Sequence, residues 1–224
     1  MNTAASKKRT TSSTKSKTGK QPTRHSARHD VASQQKETQI RKKIKRLNDA
    51  LDGDPVDIEL LRRMMITADG SVTDDLRCKV WPKLLNVDVF NKPKKKKADE
   101  ELKEFQSNIW WHQVNLDVSR AHRRFPVGSR MSRKRVLQQQ LTNIIMRVLC
   151  RHPELHYYQG YHDIAVTLLR VVGEELAFSL LEQLSTNHIR DFMDKNMNRT
   201  NRMLSLFYAV LSKVDQQLEQ FLLR

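Results

Sequence analysis

The sequence predicts an all-α fold, on three observations. Apolar residues recur at spacings of three and four along most of the chain beyond Gln35. No segment sustains the alternation of a half-buried strand. Glycine is scarce, at six residues, and no Gly-rich phosphate loop is present. A length of 224 residues suits one domain with a tail, or one domain cut short, and 38% hydrophobic content allows a mid-sized core.

Residues 1–34 are rich in Ser, Thr, Lys and Gln and contain no aromatic residue. Such a segment cannot bury enough apolar area to offset its ordering entropy, so it reads as a disordered basic tail. The helical domain is expected over 35–224. Ile40, Ile44, Leu47 and Leu51 form the stripe of a first helix that Gly53 stops. Asp54 is expected to cap a second helix, with Pro55 at its first position and Ile58, Leu61 and Met65 inward. Asp69-Gly70 is a turn. Thr73 caps a third helix whose first turn carries Asp74 and Asp75, as the helix dipole favours, and Pro82 interrupts its hydrogen bonding.

A lysine-rich loop over 90–98 precedes one long helix, expected over 99–124, with Leu102, Phe105, Ile109, Val114 and Leu116 as its inward candidates. Phe125-Pro126 and Gly128-Ser129 break it. The wide apolar face of 132–151 is that of a buried helix. A loop from His152 to Asp163 follows, then helices over 164–172 and 174–184 that meet near Gly173. The last helix, 199–223, carries Met203, Leu206, Phe207, Val210, Leu211, Val214, Leu218 and Leu222. That stripe is open, and an open stripe of this size is costly on a monomer.

The net charge of +16 is concentrated. Eight Lys/Arg against one Asp in residues 1–34 supply +7, and five lysines between Asn91 and Lys97 supply +5, which leaves +4 for the rest. A basic folded surface would be the footprint of nucleic acid, and the folded part shows no recognition module, so no specific nucleic-acid partner is expected. A basic tail is a solvated segment, or a contact for RNA, acidic headgroups or acidic protein. Cys78 and Cys150 lie far apart among helix-pattern residues and read as buried thiols. No signal-type apolar segment occurs at the N-terminus, and no run of eighteen apolar residues occurs anywhere.

Three short constellations carry chemistry. Arg77-Cys78-Lys79-Val80-Trp81 gives Arg-x-x-x-Trp, Val114 to Arg120 gives Val-x-x-Asp-x-x-Arg, and Tyr157 to Asp163 gives Tyr-x-Gln-Gly-x-x-Asp. Each is weak alone. Asp117 and Arg120 share a helix face at three-residue spacing, so the carboxylate can pre-orient the guanidinium, or the two can form an ordinary surface pair. His152, His156 and His162 suggest zinc, but Pro153 separates the first two and no Cys or acid completes a set, so no metal is expected.

In order and separation the three constellations resemble the TBC domain of Rab GTPase-activating proteins, over about 38–224. The stretches Lys79–Val87 and His156–Ile164, with Arg190–Asp194, look especially like the subfamily tied to ER-to-Golgi traffic. The resemblance implies a multi-helix TBC domain, here its N-terminal portion, continued by further helices and a membrane anchor beyond this chain. It implies a Rab-family GTPase as partner, at the cytosolic face of ER or Golgi membranes, and no cofactor of the chain's own, since the partner carries GTP and Mg. Arg120 and Gln159 are the implied catalytic fingers. The first compensates charge at the phosphates and the second positions the attacking water. Arg123, close to Phe125-Pro126, is a rival finger; the register of Arg120 with Asp117 favours Arg120. Asp117, Asp163, Tyr157, Arg77 and Trp81 are implied supports: Asp163 holds Arg120 or the glutamine loop, Tyr157 packs under that loop, Trp81 enters the core and Arg77 bonds loop backbone. A TBC-like scaffold without catalysis is the alternative reading.

Overall fold

Side-chain capping sets the start of three of the described helices. The structure, a computed structural model, describes the backbone of residues 24–90, 97–125, 128 and 130–223, and the side chains of these apart from 24–32, 122 and 123. The lysine-rich segment 91–96 and the first 23 residues of the predicted tail lie outside the described residues. The elements are α1 (Arg24–Leu51), α2 (Ile58–Met65), α3 (Asp74–Leu84), α4 (Ala98–Ser107), α5 (Trp111–Arg120), α6 (Met131–Arg151), α7 (Tyr161–Val172), α8 (Glu174–Gln183), α9 (Asn198–Val214) and α10 (Gln216–Leu222). Among the described residues there is no strand. The chain divides into two units, residues 1–43 and 44–224. The first is helix from Arg24, upstream of the start expected at Gln35.

In the second unit α2 begins later than expected. Its N-cap is Asp57, whose Oδ1 accepts from the Leu60 amide at 2.9 Å, while Asp54 precedes a cis peptide to Pro55. Thr73 caps α3 as predicted, its Oγ1 accepting from the Leu76 amide at 3.3 Å. Pro82 lies buried inside α3.

The single long helix expected over 99–124 is two helices. The Asn108 side chain accepts from the Trp110 amide at 2.9 Å, and that local bond competes with continuation of the helix. The break re-aims the apolar residues: Phe105 and Val114 are buried, but Leu102, Ile109 and Leu116 are exposed. The last helix is also split. Asp215 leaves the helical conformation, at φ -149° and ψ 83°, and caps α10 by accepting from the Leu218 amide at 3.0 Å.

The main core lies around α6, which packs against α4, α5, α7 and α8. Leu141, Ile144, Ile145, Val148 and Leu149 are buried in it, while Val136 is exposed. Arg147 is buried too, its guanidinium 4.2 Å above the Phe178 ring and paired with Glu101 and Glu175 at 3.6 and 3.8 Å. A smaller core joins Leu47 and Ala50 to Leu61, Met64, Leu76 and Val80. Helix α3 serves both, since neighbouring Trp81 packs half-buried on the main core. The α9–α10 stripe is exposed at Met203, Leu206, Phe207, Val210, Val214, Leu218 and Leu222, with Leu211 buried. Cys78 and Cys150 are half-buried rather than buried, and the Cys78 thiol reaches the Val171 carbonyl at 3.3 Å. No described helix is long and apolar enough to cross a membrane.

Candidate functional site

The site forms where the C-terminal end of α5 meets the loop leading into α7. Helix α5 buries Val114, Asp117 and Val118 on one face, and Arg120 in its last turn is exposed. Asp117 is the only acid on that helix, and its burial is made tolerable by donors on both oxygens. Oδ1 accepts from Gln113 Nε2 at 3.2 Å, and Arg120 Nη2 lies 3.9 Å away. Oδ2 accepts from the Tyr157 hydroxyl at 3.0 Å.

Tyr157 therefore ties the 157–163 loop to α5. Its ring meets Tyr161 edge-on, with centroids 5.9 Å apart, and leans on Trp110 at 6.4 Å. Burial pushes the Tyr157 hydroxyl well above the ordinary phenol range, and the bond to Asp117 and its charge push the same way. It remains a proton donor throughout the neutral range. Since it donates to Asp117, its oxygen is left to accept from His162 Nδ1 at 3.3 Å, which selects the Nδ1–H tautomer. Tyr161 is fully buried, its phenol raised chiefly by burial, and its hydroxyl pairs with Ser185 Oγ at 2.6 Å.

Two residues beyond Tyr157 stands Gln159, exposed, its carboxamide without a hydrogen bond to any described residue. Two residues of extended chain span at most about 7 Å, so Gln159 is bound to stay near the Tyr157 anchor. Gly160 follows at φ 101°, a left-handed conformation that turns the chain into α7. The Asp163 amide closes this turn on the Gly160 carbonyl at 2.9 Å.

Asp163 does not hold Arg120. It forks onto Arg124, with Nε–Oδ1 at 3.0 Å and Nη2–Oδ2 at 3.1 Å. Arg170 of α7 also donates to the Arg124 carbonyl at 2.9 Å. The 3-10 turn Ala121–Arg124 is thus pinned to α7 by side chain and backbone. Arg123 lies on this turn, but its side chain is outside the described ones. Arg77 pairs with Asp74 on its own helix, where a bond to loop backbone was expected. Trp81 packs as expected.

The sequence reading missed Gln113, Arg124 and Arg170, and weighed His162 only as a zinc ligand, not as a partner of Tyr157. Gln113 was within reach, standing four residues before Asp117 on the same face. The three histidines do not converge: His152 binds Glu182 at 2.9 Å, His156 meets Trp110 edge-on, and His162 joins Tyr157. Among the described residues no group of His, Cys, Asp and Glu is arranged to hold a metal ion.

The Rab-GTPase-TBC domain model matches residues 74–224, which include all three constellations. The chain belongs to the TBC family. TBC1 domain family member 20 of Mus musculus is 47% identical over 182 residues, covering 81% of this chain and 44% of the relative. The Homo sapiens protein of that name is 46% identical over the same shares. The Schizosaccharomyces pombe GTPase-activating protein gyp10 is 29% identical over 168 residues, 75% of this chain and 44% of its own length. This TBC chain thus spans less than half the length of the curated relatives it matches.

Proposed function

We propose that the chain accelerates GTP hydrolysis on a Rab-family GTPase, supplying Arg120 as an arginine finger and Gln159 as a glutamine finger to GTP and Mg held by the partner. The observation that carries the reading is the 3.0 Å bond from the Tyr157 hydroxyl to Asp117. It couples the helix that ends in Arg120 to the loop that presents Gln159, and both finger side chains are exposed beside it.

The chemistry suits these residue types. Hydrolysis needs positive charge on the developing phosphate oxygens and a fixed attacking water. The guanidinium is permanently charged and forks onto two oxygens. The carboxamide donates and accepts at once, so it can hold a water against a second group. Asp117 supplies direction to Arg120 rather than stability, since a 3.9 Å pair with an exposed arginine is worth little energetically. The likeness of Lys79–Val87 and His156–Ile164 to the ER-traffic subfamily supports action on ER-to-Golgi vesicle transport, at the cytosolic face of those membranes.

Single-turnover hydrolysis on a panel of GTP-loaded Rab proteins tests the proposal. Arg120→Ala and Gln159→Ala are each expected to lose most of a stimulation on the order of a thousand-fold or more. Arg120→Lys is also expected to be poor, because an ammonium cannot fork. Full stimulation by either alanine variant would overturn the assignment.

A further inference from the structure

The modest net charge of the folded part conceals a local excess beside the candidate fingers. From Arg120 to Arg135 the sequence holds seven Lys/Arg and no Asp or Glu. Four of these cations sit at the start of α6: Arg130 at its N-cap, then Arg133, Lys134 and Arg135. No acid occupies the first turn of that helix, and Arg130 offers no side-chain cap. Cations at a helix N-terminus oppose the dipole, and like charges spaced along one turn repel one another. Arg130, Arg133 and Arg135 are exposed and Lys134 is half-buried. Among the described residues the ion pairs of α6 all lie at its other end, on Arg147 and Arg151. The cluster therefore works against the stability of its own helix, with no acidic partner within the described chain to offset it.

Its position is fixed by Gln138, whose Nε2 reaches the Val118 carbonyl of α5 at 3.5 Å. Lys134 and Arg135 precede Gln138 by four and three residues and share its face. They stand beside the end of α5 that presents Arg120. Arg124, across the turn, has its charge offset by Asp163. Among the described residues of this run the cations without an acidic partner are thus those of the α6 group, and Arg120 beside them has only Asp117 at 3.9 Å.

We propose that this α6 collar captures a carboxylate-rich surface of the GTPase whose nucleotide Arg120 and Gln159 serve; the inference rests on the function proposed above. A protein whose nucleotide sits at Arg120 approaches the helix on which the start of α6 packs. A bilayer or a nucleic acid held there would block that approach. Facing charges separated by less than a Debye length, about 10 Å at 0.1 M salt, raise encounter rates without entering the chemistry.

The test is the Arg133→Glu/Arg135→Glu double variant of the full chain, in stimulated hydrolysis on a responsive Rab across a salt series. Steering of this kind is worth roughly tenfold or more in association at low salt, so kcat/KM is expected to fall by that factor while kcat at saturating Rab is unchanged. The salt dependence is expected to flatten. Glutamates near the start of α6 favour its dipole, so the melting temperature is expected to hold or rise, and misfolding cannot account for a loss. Wild-type kcat/KM in the variant would overturn the collar alone. A kcat falling in step with kcat/KM would show that these residues act in the chemical step, and would also overturn it. Loss of binding to phosphatidylserine vesicles or to single-stranded RNA, with kcat/KM intact, would reassign the collar to those ligands. A wild-type chain that neither binds nor stimulates any GTP-loaded Rab would refute the parent function, and the collar's partner with it.

Discussion

Tyr157→Phe isolates the contact on which the site depends. The substitution removes one oxygen and leaves the ring against Tyr161 and Trp110. Asp117, only 5% exposed, loses the donor on Oδ2 and keeps Gln113 on Oδ1. A hydrogen bond to a charged acceptor is worth about 1.5–3 kcal/mol, and a domain of this size loses roughly 2–4 °C of melting temperature per kcal/mol, so a fall of about 3–12 °C is expected. Circular dichroism melting measures it. Tyr158→Phe is the control, because its hydroxyl makes no hydrogen bond to any described residue; its melting temperature is expected to stay within about 1 °C of wild type. In single-turnover hydrolysis Tyr157→Phe is expected to lower the stimulated rate at saturating Rab more than it raises KM, because the proposed fingers lose their common anchor. A melting temperature matching the control, with wild-type stimulation, would refute the coupling of α5 to the glutamine loop.

The Arg124–Asp163 fork pins the turn behind Arg120 to α7, yet both side chains are substantially exposed. Asp163→Asn is therefore expected to cost less than about 1 kcal/mol in urea unfolding while lowering stimulation, and the charge swap Arg124→Asp/Asp163→Arg is expected to restore part of that stimulation. Stability is also expected to fall at alkaline pH. The folded-state values of Tyr157 and Tyr161 are raised, so above pH ~10 the unfolded chain releases protons that the folded one retains. The loss from each begins near pH ~9 and steepens toward about 1.4 kcal/mol per pH unit above pH ~10, and urea midpoints between pH 9 and 11 measure that onset.

The all-α class and the family were legible because the motifs depend on local spacing: Asp117 with Arg120, and Tyr157 with Gln159, are fixed by the chain itself. The helix breaks at Asn108 and Asp215 were not legible. In both places the apolar periodicity runs on, and a single side chain bonding a nearby amide outweighs it. The same effect moved the α2 cap from Asp54 to Asp57. The partner of Asp163 was hidden for another reason. Arg124 is 39 residues away in sequence, one of several arginines in a basic run, and only tertiary packing selects it. The α6 collar was hidden by summation, since acids elsewhere in the domain cancel it in the net charge.

Gly160 has open space where a side chain would stand, yet its backbone angle is one that L-residues rarely adopt. Intolerance at this position is thus a matter of handedness and not of room. L-Alanine there should disturb the direction of the neighbouring carboxamide although it collides with nothing. D-Alanine, introduced by chemical ligation, should be accepted with activity intact. A mirror-image residue succeeding where its natural counterpart fails would mark the aim of Gln159 as a property of the main chain.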